Sequence, residues 1–284
     1  MKLKIVLIVL LLALVSLACG FSVDLPTAPT PGPDVSEAIS VPMPAIEGAR
    51  LSLKFGAGDL SLSPGAPAGT MVDGTATYNV SDFKPVISSS QAAVSIEQGD
   101  YKFRSVPDFS DIKNEWDLRL GESPMDLSIV AGAYDADYEL GGLALTGLTI
   151  KDGAADVKLS FDDPNRVEMN VMRYETGASN VEMEGLANAN FNTFVLESGG
   201  GQYKLDFSGS LQRNAFITIQ SGLSNIRLRI PEGIAASITI DGSLKNVSAD
   251  SGWDKNGNIY TQAGTTPSLT FLIEMSAGNL TITD

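Results

Sequence analysis

The stretch DLSIVAGAYDADYEL, residues 126–140, decides the fold. Apolar and polar residues alternate near its start and again at its end, which is the period of a β-strand with one buried face. In the middle, Gly132 is followed by small residues and Asp135. This combination is typical of a tight turn, because glycine accepts a positive φ and aspartate can bond to its own backbone. The stretch therefore predicts two strands that meet at a turn.

The same unit recurs along the chain. From Gly132 onward, the leading residues lie 21, 24, 22, 23 and 20 residues apart, and a last gap of 34 residues contains an insertion at 249–266. The other copies are GAGDLSL from Gly56, GAADVKL from Gly153, GASNVEM from Gly177, GGGQYKL from Gly199, GLSNIRL from Gly222, GSLKNVS from Gly242 and SAGNLTI from Ser276. A repeat of 20–25 residues is the signature of a solenoid.

Stacked units of this kind place like strand on like strand and build one continuous core. We therefore predict an all-β protein whose residues 126–284 form a β-solenoid with rungs of about 22 residues. Residues 46–125 repeat less well, so they are predicted to form an N-terminal β region that caps the exposed end of the stack. A β-sandwich of hairpins is the alternative, although its turns are not expected to recur at one spacing.

The N-terminus has the build of an export signal. Lys2 and Lys4 precede an unbroken apolar run at residues 5–15. This run is shorter than the span of about 20 residues that a transmembrane helix needs. Residues 1–18 are therefore predicted to be a signal peptide, with a retained membrane anchor as the alternative.

Cys19 is the only cysteine in the chain and follows this signal directly. Its position resembles the lipobox of bacterial lipoproteins, in which the thiol receives a diacylglycerol and becomes the mature N-terminus. Ala18 and Gly20 fit that pattern, and Ser16 and Leu17 match it more loosely. The resemblance implies lipidation at Cys19 and an extracytoplasmic protein anchored to the bacterial cell membrane or surface. Ordinary secretion is the alternative.

Residues 19–45 form a proline-rich segment. Six of the fourteen prolines lie between residues 20 and 45, namely Pro26, Pro29, Pro31, Pro33, Pro42 and Pro44. Proline-rich segments favour extended polyproline II and act as semi-rigid spacers. We predict a lipidated tether that holds the folded region away from the bilayer, although a disordered tail would have nearly the same composition.

Charge and composition exclude several classes of function. The formal net charge is −15, so nucleic acids and anionic lipid surfaces would be repelled. The chain has no histidine, which excludes Ser–His and Cys–His catalysis and histidine zinc sites. No cofactor and no metal ion are expected.

With the repeats in place, the chain resembles the toast rack family of bacterial proteins. This family shares a related repeat with cell-wall-active antibiotic response proteins and with adhesin-type β-solenoids. The residues that carry the resemblance are LSLKFGAGDLSL (51–62), NEWDLRL (114–120), DLSIVAGAYDADYEL (126–140), LTIKDGAADVKL (148–159) and SAGNLTI (276–282). It spans residues 46–284, and the insertion at 249–266 departs from it. The resemblance implies a β-solenoid-like fold on a cell-envelope protein and implies no catalytic residues.

Two kinds of chemical site were considered from the carboxylates and amides. Paired carboxylates could serve glycoside hydrolysis, and the pairs are Asp135 with Asp137, Asp162 with Asp163, and Glu182 with Glu184. The first and last pairs are expected on the solvated face of a strand and the middle pair in a turn, so no enzyme is predicted. Oxygen ligands stacked at the turns could hold calcium, and the candidates are Asp59, Asp156, Asn180, Asn225 and Asn279. Turn formation is expected for these residues instead.

The candidate ligand-binding residues are Trp253 and Tyr260 in the polar insertion, where they could form a sugar-binding platform. A lid over the end of the stack is the alternative role. The predicted function is that of a non-catalytic envelope lipoprotein presenting an acidic β-solenoid for adhesion, scaffolding or envelope-stress sensing. Its partners would be the membrane, through the lipid, and an envelope protein or a cell-wall glycan. A carbohydrate-binding surface module and a carboxylate-based polysaccharide-degrading enzyme are the alternatives.

Overall fold

A computed structural model of the 284-residue chain describes residues 31–46, 48–99, 111–241 and 246–284. The predicted signal peptide and Cys19 lie outside the described residues. Short 3₁₀ helices occur at Ser81–Phe83 and Leu186–Ala189. The N-terminal strands are β1 (Val35–Pro42), β2 (Ala49–Pro64), β3 (Thr70–Tyr78), β4 (Pro85–Ser89), β5 (Ala93–Gln98) and β6 (Asn114–Leu120). The middle strands are β7 (Met125–Glu139), β8 (Leu145–Asp152), β9 (Ala154–Ser160), β10 (Met169–Glu184), β11 (Phe191–Asp206) and β12 (Ala215–Arg229). The C-terminal strands are β13 (Gly233–Asp241), β14 (Asn246–Ala249), β15 (Trp253–Asn256), β16 (Ile259–Gln262) and β17 (Gly264–Thr283).

The predicted β-solenoid is confirmed, and most of its rungs are single long strands. In β2, β7, β10, β11, β12 and β17 the strand continues through the repeat motif as two arms. The first arms pair in parallel to form what we call the front sheet, and the second arms pair in parallel to form the back sheet. In one rung the two arms are the separate strands β8 and β9, on either side of Gly153. Because the arms alternate inward apolar and outward polar residues, the rungs enclose one core.

The core is a stack of like positions. One inward column of the front sheet is built from Ile96, Leu53, Ile129, Ile150, Tyr174, Leu196, Ile219, Ile273 and Ile240. Aromatic rings fill the space between the sheets, and the rings of Phe207 and Phe271 meet edge to face at 5.0 Å. Burial of such a side chain contributes about 1.5–3 kcal/mol. The column runs through residues on both sides of the predicted boundary between 125 and 126, so these two regions share a single core.

Four of the leading glycines are required by close packing between rungs. A Cβ atom on Gly132, Gly177, Gly199 or Gly222 would lie 2.3–2.5 Å from the carbonyl oxygen of the leading glycine in the preceding rung. The expectation that these glycines adopt a positive φ is wrong. Positive φ occurs instead two residues later, at Gly58, Gly201 and Gly278.

The spatial order of the rungs differs from their order in the chain. Strand β17 lies between β12 on one side and β13 and β14 on the other. Likewise β2 lies between β7 and the pair β5 and β6. At the C-terminal end, the chain first forms the outer rung β13–β14 and then places β17 between that rung and β12. At the N-terminal end, the outer rung β5–β6 and the inner strand β7 both follow β2 in the chain and pair with its two sides. At both ends, antiparallel strands flank the parallel stack, with β3 and β4 at one end and β16 at the other.

Part of the segment predicted to be a proline-rich tether, residues 19–45, is folded. Residues 35–42, assigned to the tether, form β1, which pairs antiparallel with β3. The apolar alternation of Ile39 and Val41 explains the difference, because both side chains are buried on one face of the strand. Among the described residues, no helix has the length and apolar character needed to cross a membrane.

We predict that replacing a leading glycine destabilises the solenoid according to how closely the next rung approaches. Gly177→Ala would place a Cβ 2.4 Å from the Gly153 carbonyl oxygen, whereas the corresponding distance for Gly153→Ala is 3.1 Å, to the Gly132 carbonyl oxygen. Overpacking of this kind costs about 1–3 kcal/mol, so Gly177→Ala should lower the free energy of unfolding more than Gly153→Ala. Chemical denaturation measures the difference. Gly32→Ala, whose Cβ would meet only Asn79 at 3.5 Å, is the control, and equal losses for all three variants would contradict the close-packing explanation.

Candidate interaction surface

The two aromatic candidates from the insertion lie in the core. The side chains of Trp253 and Tyr260 are 7% and 4% exposed and belong to the main hydrophobic cluster. They lie on β15 and β16, the antiparallel strands that cover the C-terminal end, and Lys255 Nζ is 5.1 Å from the centre of the Tyr260 ring. These rings therefore do not form an exposed sugar-stacking platform. The alternative role, a lid over the end of the stack, matches their position.

The polar residues that were expected to form turns lie in strands instead, because most strands continue past the corner, and they line up in register on the outer surface of the back sheet. All five calcium candidates occupy one column, whose members in spatial order are Glu115, Asp59, Asp135, Asp156, Asn180, Gln202, Asn225, Asn279 and Asn246. In the amide half of the column, Asn279 Nδ2 donates to Asn225 Oδ1 at 2.7 Å. No group of three or more acidic, cysteine or histidine side chains in the described parts of the chain is close enough to hold a metal ion.

The carboxylate half of this column carries like charges on adjacent strands. Burial, followed by the charges of Asp135 and Glu115, raises the pKa of the Asp59 carboxyl. Like charges on facing strands are destabilising. The two carboxylate pairs expected on the solvated face do lie there, with Asp135 and Asp137 exposed and Glu182 ion-paired to Lys204 at 3.2 Å.

The front sheet carries a largely uncharged area on its outer surface. The uncharged patch is defined by Val171, Thr193, Val195, Phe216, Thr218, Thr270 and Leu272 on four adjacent strands, β10, β11, β12 and β17. Arg173 borders the patch on β10, opposite Val195. Phe216 is 44% exposed, Val171 39% and Leu272 38%. Single exposed apolar residues are common; here three of them, with Val195 and three threonines, form one contiguous surface. The sequence alone does not show that the residues of this patch are neighbours on the surface, because they lie on four different strands.

A polar groove borders the patch at the corner between the two sheets. This corner groove has a volume of about 610 Å³ and is lined by Lys151, Asp152, Glu175, Thr176, Glu197, Ser198, Gln220, Ser221, Gly222, Glu274 and Ser276. The parallel register stacks Glu175, Glu197, Gln220 and Glu274 on successive strands. Beside them, the hydroxyls of Thr176, Ser198 and Ser221 form a second column.

Basic side chains pair with part of the acidic column. Lys151 Nζ lies 2.7 Å from Glu175 Oε2, and Arg173 Nη1 lies 2.8 Å from Glu197 Oε1. Within the hydroxyl column, Ser198 Oγ donates to Ser221 Oγ at 2.8 Å, whereas Thr176 Oγ1 is hydrogen bonded to Ser179 Oγ at 2.6 Å. The corner groove therefore offers hydrogen-bonding groups at a regular spacing, with much of its negative charge balanced at one end.

A buried tyrosine network supports the end of the corner groove. Asp152 accepts hydrogen bonds from Tyr174 Oη at 2.6 Å, Ser179 Oγ at 3.2 Å and Tyr134 Oη at 3.3 Å. Tyr138 Oη in turn donates to Tyr134 Oη at 3.3 Å. Burial raises the pKa of all three tyrosine hydroxyls, so they stay protonated and act as donors. This arrangement fixes the Asp152 carboxylate and does not activate a nucleophile.

The fold defines this chain as a β-solenoid with two sheets around one core. Residues 30–172 match the family defined as the N-terminal domain of toast_rack. This match covers half of the chain and includes β1 to β9 and the start of β10. The chain belongs to the toast rack family, as the repeat and the NEWDLRL strand indicated.

Comparison with solved structures finds distant similarity. A "putative cell adhesion protein" from Clostridium sporogenes is 20% identical, covers 88% of this chain and 99% of its own, and has a TM-score of 0.48. A "putative adhesin" from Bacteroides fragilis is 10% identical, with coverages of 90% and 99% and a TM-score of 0.41. No curated protein matches this chain.

We predict that Asp59→Asn stabilises the protein at neutral pH and low ionic strength by about 0.5 kcal/mol, the scale of one facing charge pair. Because the folded-state pKa of Asp59 is raised, the native state binds the proton more tightly than the unfolded chain does. Wild-type stability at this site is therefore lowest above the folded pKa and recovers as pH falls through it. The gain from Asp59→Asn should shrink toward pH 3 and in high salt.

Thermal unfolding at several pH values and salt concentrations measures this effect. Asp163→Asn, which alters an exposed carboxylate in a bend, is the matched control. A stabilisation by Asp59→Asn that is the same at pH 3 and pH 7 would argue against repulsion as its cause.

Proposed function

We propose that this chain is a non-catalytic, lipid-anchored binding protein of the bacterial cell envelope that presents its acidic β-solenoid for interaction, in an adhesive or scaffolding role. The observation that carries the proposal is the uncharged patch on the front sheet. The chain has a net charge of −15, yet seven outward positions on four adjacent strands of this patch carry no charge. On so acidic a protein, a contiguous uncharged surface offers a partner a place to bind with little charge repulsion.

The position of the patch suits a protein tethered at its N-terminus. The described chain enters the fold through β1, at the end of the stack formed by β1, β3 and β4. The patch begins at β10 and lies toward the opposite end, several strand spacings of about 4.8 Å away. Lipid attachment at Cys19, with residues 19–34 as the tether, would place the patch on the side facing away from the bilayer.

A non-catalytic role is supported by the chemistry of the polar sites. The carboxylate pairs on the back sheet lie on an open surface, and Glu182 is engaged by Lys204. The tyrosines beneath the corner groove are buried and protonated. The two compared structures bear adhesin names, which are of the same class as this proposal, but the similarity is too distant to carry it. A role in envelope-stress sensing would use the same patch.

We predict that the double variant Phe216→Ser with Leu272→Thr weakens binding of the full chain to isolated envelopes of the producing cells by about tenfold. Loss of the apolar contact of two half-exposed side chains accounts for about 1.4 kcal/mol, which is a tenfold change in affinity. Retention of the purified chain on immobilised envelopes gives the measurement.

The matched control is Val86→Ser with Ile87→Thr on β4, at the other end of the molecule. These residues are 58% and 43% exposed, so the control removes a similar exposed apolar area. Equal binding by the patch variant and the wild type would refute the proposed role of the uncharged patch.

A separate prediction concerns the anchor. Cys19→Ser should abolish labelling of the protein by radioactive palmitate and release the chain from the membrane fraction, because only the cysteine thiol can receive the lipid. Globomycin, which blocks lipoprotein signal cleavage, should cause the wild-type precursor to accumulate. A Cys19→Ser chain that stays with the membranes would show that another segment anchors the protein.

A further inference from the structure

The corner groove presents a carboxylate or amide side chain at the equivalent position of each successive rung. Glu197, Gln220 and Glu274 follow one another across β11, β12 and β17, and the Ser198 and Ser221 hydroxyls lie beside the first two. The strand spacing sets a repeat of about 4.8 Å along the solenoid axis. This spacing is comparable to the length of one sugar residue in an extended glycan chain. A polymer of similar units could therefore meet equivalent groups on each rung.

The chemistry of the corner groove favours hydroxyl groups as partners. Carboxylates accept hydrogen bonds, whereas a glutamine amide and a serine hydroxyl both accept and donate them. The Glu197 carboxylate already pairs with Arg173, which holds it in place and balances its charge. Vicinal hydroxyls of a pyranose are donors and acceptors at fixed separations, so they match an acceptor-rich surface of this kind.

The uncharged patch supplies an apolar wall along the same groove. Thr218 and Gln220 are neighbouring outward residues on β12, and Leu272 and Glu274 are neighbouring outward residues on β17. The C–H face of a sugar ring is apolar and packs against aliphatic and aromatic side chains. Polar groups in one column and apolar groups in the next therefore match the two kinds of surface that a sugar chain presents.

Charge and area exclude other occupants of this surface. The net charge of −15 disfavours polyanions such as nucleic acids and acidic polysaccharides. The seven positions of the patch, each about 4.8 Å by 6.6 Å, give it an area of roughly 220 Å². This is well below the area of about 800 Å² per partner that a stable protein dimer buries, so a second copy of this chain is disfavoured.

We propose that the corner groove binds a neutral glycan chain lying along the solenoid axis, with Glu197, Gln220 and Glu274 as hydrogen-bonding residues and Leu272 in the apolar wall. This inference rests on the proposed function, because it names the class of partner that the front sheet would bind. The residues are distinct from Trp253 and Tyr260, which lie in the core.

Oligosaccharide binding by the full chain tests the proposal. The neutral probes are hexamers of β-1,4-glucose, β-1,4-N-acetylglucosamine, β-1,4-xylose and β-1,4-mannose, and an alginate hexamer is the anionic probe. We expect binding to at least one neutral hexamer, weakened about tenfold by Gln220→Ala and by Glu274→Ala. Gln202→Ala, which alters the same residue type on the exposed back sheet, should bind as the wild type does. Thermal unfolding of each variant confirms that the fold is retained.

The outcomes separate this inference from the proposed function. Failure of all neutral hexamers to bind, binding of alginate alone, or wild-type affinity of both groove variants would overturn the glycan inference. If envelope binding still depends on Phe216 and Leu272, and protease treatment of the envelopes removes it, then the partner is a protein and the proposed function stands without the glycan. Loss of envelope binding after periodate oxidation, together with hexamer binding that depends on Gln220, would support both.

Discussion

Parallel, in-register pairing of bent strands is the constraint on which the rest of this structure depends. Each rung must follow the path of the one below it, because the backbone of one strand supplies the hydrogen-bonding partners of the next. At the corner this brings main chains so close that the carbonyl oxygen of one leading glycine occupies the space where the next would carry a Cβ. Glycine recurs in the sequence repeat because this contact leaves no room for a Cβ atom. The apolar column from Ile96 to Ile240 is its consequence in the core.

The same constraint organises the surface. Residues at equivalent positions stand next to one another, so any residue type that recurs in the repeat becomes a ladder. On the back sheet this produces facing carboxylates from Glu115 to Asp156, which repel one another, and then a run of amides that can bond along the column. On the front sheet it produces the uncharged patch beside the corner groove. In a stacked fold, a residue type that recurs at one position of the repeat therefore forms an extended surface of the same polarity or charge.

The ends of the stack show how the fold limits its own growth. Strands β2 and β17 are enclosed by rungs formed from other parts of the chain, and antiparallel strands flank the stack at both ends. Edge strands with unpaired backbone groups invite association between molecules. On the C-terminal side, β15 carries charged residues at Asp254 and Lys255, which oppose such pairing, and Trp253 and Tyr260 seal the core beneath it. The insertion that departs from the repeat is thus part of the cap.

Much of this architecture was determined by the sequence alone, because alternation and periodicity are local properties. The β-solenoid and its rung length follow from residues close together in the chain, such as Gly132 to Asp135, and the family follows from the resemblance of short segments such as NEWDLRL. The five residues from Asp59 to Asn279, which were expected to form turns, lie in strands instead. Other features depend on contacts between distant residues. Only the tertiary structure decided that β17 lies between β12 and β13. The alternation of apolar and polar residues within a strand does not show which strands are its neighbours. The tertiary structure also brought Val171, Phe216 and Leu272 together and placed Trp253 in the core, because exposure depends on which strand packs alongside, and that partner is remote in the chain.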